Sequence, residues 1–146
     1  MTKALGGFAL LLAMSCSPRP DCELASSVAA RAGGNATDCG YAVLGSDASS
    51  VDACVTDAFS GGTAFYARYD RNGSDSKVVF GIAQDAAGNV TFFLWDSDPS
   101  GGSNTGPVID GDLCTGPTLD TSPTRDAFMS PPVVCTSMVS LGRTCG

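Results

Sequence analysis

Apolar and polar positions alternate in three runs near the middle of the chain, each with the two-residue period of an extended strand. Phe65, Ala67 and Tyr69 share one face of the run from Thr63 to Asp70. Val78, Phe80 and Ile82 share a face between Lys77 and Asp85, and Val90, Phe92 and Leu94 do so between Val90 and Asp96. The spacers Arg71-Asn72-Gly73-Ser74-Asp75-Ser76 and Ala86-Ala87-Gly88-Asn89 are polar and contain glycine, so the pattern predicts an antiparallel meander. The opposite face is not plainly polar. Tyr66 on the first run and Phe93 and Trp95 on the third point there, and such a row is either covered by another layer or offered to a partner.

Ahead of the meander the period changes to that of a helix: Val51, Cys54, Val55, Ala58 and Phe59 recur on one stripe. Ser49 is placed to cap this helix, Asp52 sits near its positive end, and Gly61-Gly62 stop it. A weaker helix runs from Cys22 to Arg31, with Asp21 as its expected cap and Gly33-Gly34 at its end, and a loop carrying Cys39 follows. Beyond Pro99, Gly, Pro, Ser and Thr dominate, and only Val108-Ile109 and Val133-Val134 form short apolar pairs. The expected fold is α+β: one or two helices packed on a three- to four-stranded antiparallel meander, with an irregular disulfide-tied C-terminal segment.

A different pattern opens the chain. Met1-Thr2-Lys3 precedes the charge-free apolar stretch from Ala4 to Met14, which is the layout of a signal peptide. As a helix it would reach about 16 Å, roughly half of a bilayer's hydrocarbon core, so it is too short to span. Leu11-Leu12-Ala13-Met14-Ser15-Cys16 places small residues before a cysteine. This run resembles the lipobox of bacterial lipoproteins, a family that prefers leucine where this chain has Ala13. The resemblance implies cleavage before Cys16, which becomes the new N-terminus, and transfer of a diacylglyceryl group to its thiol, with palmitate among the acyl chains. It divides the chain into a signal peptide (1–15), a lipidated tether (16–20) and one small disulfide-stabilised domain (21–146). It also implies a cell-envelope location, lipid-anchored, with the outer membrane favoured by Ser17 where the cell has one.

Cysteine arithmetic points the same way. The chain has seven cysteines, and an odd number in an oxidising compartment leaves one reactive thiol. Acylation of Cys16 would remove it, leaving Cys22, Cys39, Cys54, Cys114, Cys135 and Cys145 for three disulfides with fifteen possible connectivities. No two of them fall in a C-x-x-C spacing and the chain has no histidine, so a zinc site is disfavoured.

The formal net charge is −7. Nucleic-acid binding is thereby excluded as an expectation, and membrane attachment must come from lipid and not from a basic patch. Asp96-Ser97-Asp98-Pro99-Ser100-Gly101 matches the start of a calcium loop, with Asp110 and Asp112 offering further oxygens; Pro107 stands where the bidentate glutamate belongs. Asp96, Asp98 and Asp110 are thus the candidate metal ligands, and a strand-ending turn explains the same residues. No catalytic residue is assigned: without histidine a serine or thiol nucleophile lacks its ordinary base, and the cysteines are expected to be oxidised. Tyr66, Phe93 and Trp95 are the candidate partner-binding residues, for a protein or glycan. The helix-then-meander order is similar to cystatin-like domains, although the Q-x-V-x-G loop of those inhibitors is absent. The expected function is a membrane-anchored lipoprotein acting as a structural or binding module. Alternatives are a divalent-cation-binding lipoprotein, with calcium as its cofactor, and a histidine-free hydrolase.

Overall fold

The computed structural model describes residues 22–102, 106–120, 122 and 130–145. The expected signal peptide, Cys16, the tether and Asp21 lie outside the described residues. Two helices, α1 (Leu24–Ala32) and α2 (Ser49–Ser60), accompany six strands: β1 (Thr37–Ala42), β2 (Phe65–Arg71), β3 (Val78–Gln84), β4 (Val90–Asp96), β5 (Val108–Leu119) and β6 (Val133–Cys145). The strands form one sheet in chain order, with β1 and β2 parallel and every later pair antiparallel. The α+β class and the meander of β2, β3 and β4 stand, while two finer expectations are corrected. There are six strands where three or four were expected, and the sheet is mixed, because α2 supplies the crossover that a parallel pair requires. The residues after Pro99 are also not irregular throughout: β5 and β6 are the longest strands of the sheet. Their glycines and prolines sit at bulges and at a bend, which a two-stranded ribbon tolerates and a composition count cannot see.

The helices cover opposite faces. On one face Val51, Val55 and Ala58 of α2 pack over Phe65, Ala67 and Tyr69, and the core continues through Ile82, Val90 and Phe92. On the other, Leu24, Val28 and Ala32 of α1 lie on Val79, Ala83, Phe93 and Ile109. Spaced four apart, these three α1 residues form a narrow stripe, which suffices because the helix lies very close to the sheet at Gly81. A Cβ built on Gly81 would overlap Val28 Cγ1 and stand 3.1 Å from Leu24 Cδ1.

Local chemistry fixes the element ends. Ser49 is the first residue of α2 and not its cap; Asp47 accepts the Ser49 N–H at 2.9 Å and its hydroxyl at 2.8 Å. Those two donors hold the Asp47 carboxyl below its ordinary pKa. Between β3 and β4, Asp85 accepts from the Asn89 side chain and from the N–H groups of Asn89 and Ala87, which likewise pulls its pKa down.

Three disulfides tie the elements, pairing Cys22 with Cys145, Cys39 with Cys54 and Cys114 with Cys135. The second clamps α2 to β1. The first joins the approach to α1 to the end of β6, across 123 residues of sequence. The third spans the β5–β6 ribbon diagonally. Cys114 is in register with Met138 and Cys135 with Pro117, yet the two cysteine Cα atoms are 5.5 Å apart. The ribbon therefore coils sharply, and Gly116 at φ +60° permits the bend. A side chain there would also meet Thr136, whose Oγ1 would lie 2.8 Å from a Cβ. Pro117 lies beyond Leu113, the last residue of β5 that pairs with β4, so its missing N–H costs that side of the strand nothing.

Candidate functional site

The coiled ribbon and α2 divide the first face between them. α2 lies over β1 and β2, and the far end of the ribbon brings Leu119, Val133 and Cys135 back against the same core. Between them the sheet is left open as a groove of about 440 Å³. Its floor is Phe80, Phe92 and Leu94, and its walls are Pro131, Val133, Val134 and Met138, with Asp112, Asp120 and Ser130 as polar members. Val134 and Met138 are about half exposed, at 44% and 54%, although they are large apolar side chains. This is a concave apolar surface with a small number of charged groups, the usual composition of a ligand pocket.

Strand register explains the placement of the acids. Alternation puts Asp110, Asp112 and Cys114 on one face of β5, where Asp110 pairs with Leu94 and Asp112 with Phe92 of β4. The two aspartates differ in their partners. Arg143 Nε lies 3.5 Å from Asp110 Oδ1, whereas Asp112 is opposite Ser140 and meets no cation or hydrogen-bond donor among the described residues. Asp120, at the groove's other end, accepts the Ser122 N–H at 2.9 Å. Phe80 already receives one cation on its ring, the Arg71 guanidinium 4.8 Å from the centroid.

A second, shallower opening of about 300 Å³ lies at the start of α1, lined by Glu23, Leu24, Tyr41, Arg68, Lys77 and Trp95 among others. The Tyr41 hydroxyl donates to Asp70, a carboxylate that also accepts the Leu44 N–H at 3.2 Å and faces Lys77 Nζ at 3.7 Å. The Arg68 guanidinium stacks 5.0 Å from the Tyr41 ring centroid, and its buried Nε finds no acceptor among the described residues. Burial, followed by the bond to Asp70, pushes the Tyr41 pKa up. The Lys77 pKa is raised first by its hydrogen bond with Tyr41.

The candidate residues read from the sequence fall in three places. Tyr66, Phe93 and Trp95 lie on the face covered by α1, where Phe93 is buried and Trp95 Nε1 donates to the Cys22 carbonyl at 3.0 Å. Asp96 and Asp98 form a tight turn: Asp96 accepts the Asp98 N–H, and Asp98 accepts the Gly102 N–H at 2.6 Å and the Ser100 hydroxyl at 3.2 Å. Asp110 is across the strand pair from Arg143. Among the described residues no three Cys, Asp or Glu side chains gather as metal ligands. The groove itself was only half visible in the sequence, since Phe80 and Phe92 declare their face by alternation but Pro131, Val133 and Met138 reach it through a bend. Comparison with protein-family models, with curated proteins and with solved structures finds no match.

Proposed function

We propose that this chain is exported, cut before Cys16 and held in the cell envelope by lipid on that cysteine, and that its folded domain is a binding module whose ligand occupies the groove beneath the β5–β6 ribbon. The observation that carries the binding reading is the groove's construction: Phe80, Phe92 and Leu94 form an apolar floor between α2 and the ribbon, while two disulfides tie the flanking elements. Anchoring follows from the Ala4–Met14 stretch ending at Ser15-Cys16 and from the odd cysteine count. Two or more acyl chains give the firm attachment that one chain does not.

Intact-mass analysis of the protein from its native membrane fraction tests the anchor. The expected species starts at Cys16, carries two or three acyl chains, and gains six thiol labels only after reduction. An unacylated species starting at another residue would overturn the anchoring. The groove is tested by methyl NMR during addition of small apolar compounds. Shifts at Val133, Val134 and Met138, with none at Val28 under α1, are the expected result, and no site-restricted shift would remove the binding reading.

A further inference from the structure

We infer that the groove selects ligands that join an apolar body to a single positive charge, an organic ammonium, and that Asp112 is the residue that makes the selection. This rests on the groove being a binding site and adds to it the chemistry of the occupant.

Two aspartates project from the same face of β5 two residues apart, so they serve as each other's control. Asp110 is compensated by Arg143. Asp112 is the register partner of Phe92 in the adjoining strand and forms part of the groove lining with no cation of its own among the described residues. An incoming ammonium would pair with a carboxylate that has no counter-ion among the described residues, while its apolar body packs on the aromatic floor. The position of Arg71 over Phe80 shows that a ring of this floor already takes a cation. Asp120 adds a second negative charge at the other end, and the chain's formal charge of −7 opposes any anionic ligand over a longer range. A groove of about 440 Å³ lies within the range of small-molecule sites, so the occupant is a small amphiphilic amine and not a folded partner.

The test uses three compounds with one body and three heads: 2-naphthylmethylammonium, 2-naphthylmethanol and 2-naphthoate. Each is titrated into the full chain in phosphatidylcholine nanodiscs, with methionine methyl groups labelled and Met138 as the reporter. The ammonium is expected to bind about five- to tenfold more tightly than the alcohol, the range for one partly exposed charged contact, and the carboxylate more weakly than either. Asp112→Asn is expected to bring ammonium and alcohol within about twofold, and a thermal melt that matches the unaltered protein shows that the variant is folded. Asp110→Asn is expected to keep the preference. If Asp112→Asn does not fold, raising the salt from about 0.05 M to about 0.5 M with the unaltered protein must shrink the preference for ammonium alone. Equal binding of ammonium and alcohol to the unaltered protein would overturn the charge selection and leave the groove as an apolar site. Failure of all three compounds to move Met138 would overturn both.

Discussion

Trp95 Nε1 donates to the Cys22 carbonyl at 3.0 Å, at the residue whose side chain is bonded to Cys145. One residue thus links β4, the entry to α1 and the last strand, and the only tryptophan of the chain reports on the junction. Because that disulfide closes a loop of 123 residues, its loss removes a large restriction on the unfolded chain. Replacing Cys22 and Cys145 together by serine should lower stability by about 3 to 5 kcal/mol. It should also shift Trp95 emission to the red before global unfolding, as α1 frays from the sheet. Coincident loss of Trp95 emission and far-ultraviolet ellipticity would show that the junction opens only when the whole fold does.

Gly81 sets how closely α1 approaches. A methyl group there overlaps Val28 Cγ1 and crowds Leu24 Cδ1, and Val28 is fully buried, so the helix must lift to make room. Gly81→Ala is expected to cost about 1 to 3 kcal/mol in denaturant melts, the usual penalty for overpacking. Val28→Ala in the same chain should recover part of it, and a double-mutant cycle measures the coupling. Strictly additive effects would show that the strain is relieved elsewhere.

How much of this was legible beforehand depends on the distance over which each feature is encoded. The rows Phe65, Ala67, Tyr69 and Val90, Phe92, Leu94 are written in local alternation, and α2 in local helical spacing; all three elements appear in the structure within two residues of their expected bounds. Whether Tyr66, Phe93 and Trp95 were covered was not a local question, since it depends on α1 docking at a glycine whose closeness to Val28 has no sequence signature. Cysteine pairing and the bend at Gly116 are likewise long-range properties. Asp112 was visible as an aspartate, but that Arg143 faces Asp110 and not Asp112 follows from the bulges between β5 and β6, which no local pattern announces.

The cluster around Tyr41 predicts behaviour at high pH. Tyr41 and Lys77 both titrate above their ordinary values, the first through burial and its bond to Asp70, the second through Tyr41 itself. The folded state thus favours the protonated form of each group. Their contribution is complete below the unfolded values near pH 10 and is lost as pH rises through the higher folded ones. Thermal melts should therefore show a fall in stability on the alkaline side that Tyr41→Phe reduces. At pH 7 the same substitution should cost about 1 to 2 kcal/mol, because Asp70 is 8% exposed and loses its phenol donor. An alkaline limb identical in the variant would assign the fall to other groups.

The Cys114–Cys135 bond should be needed for the shape of the groove more than for the existence of the sheet. β4 pairs with β5 only as far as Leu113, so beyond that point the ribbon has no neighbour in the sheet, and its far end returns to the core through Leu119, Val133 and the diagonal disulfide. Opening that bond by replacing both cysteines with serine is expected to cost about 2 to 4 kcal/mol on loop-closure grounds. The informative measurement is local hydrogen exchange. Amides of Leu119 and Val133, a pair at the ribbon's tip, should lose protection, while those of Ile82 and Phe92, paired in the sheet centre, should keep it. The apolar wall formed by Val133 and Met138 would then leave Phe80 and Phe92 open to water, and affinity for naphthyl compounds should fall for all three head groups alike. Unchanged protection at Leu119 and Val133 would mean that apolar packing alone holds the ribbon down. In that case the bend at Gly116, and not the disulfide, would be what shapes the groove.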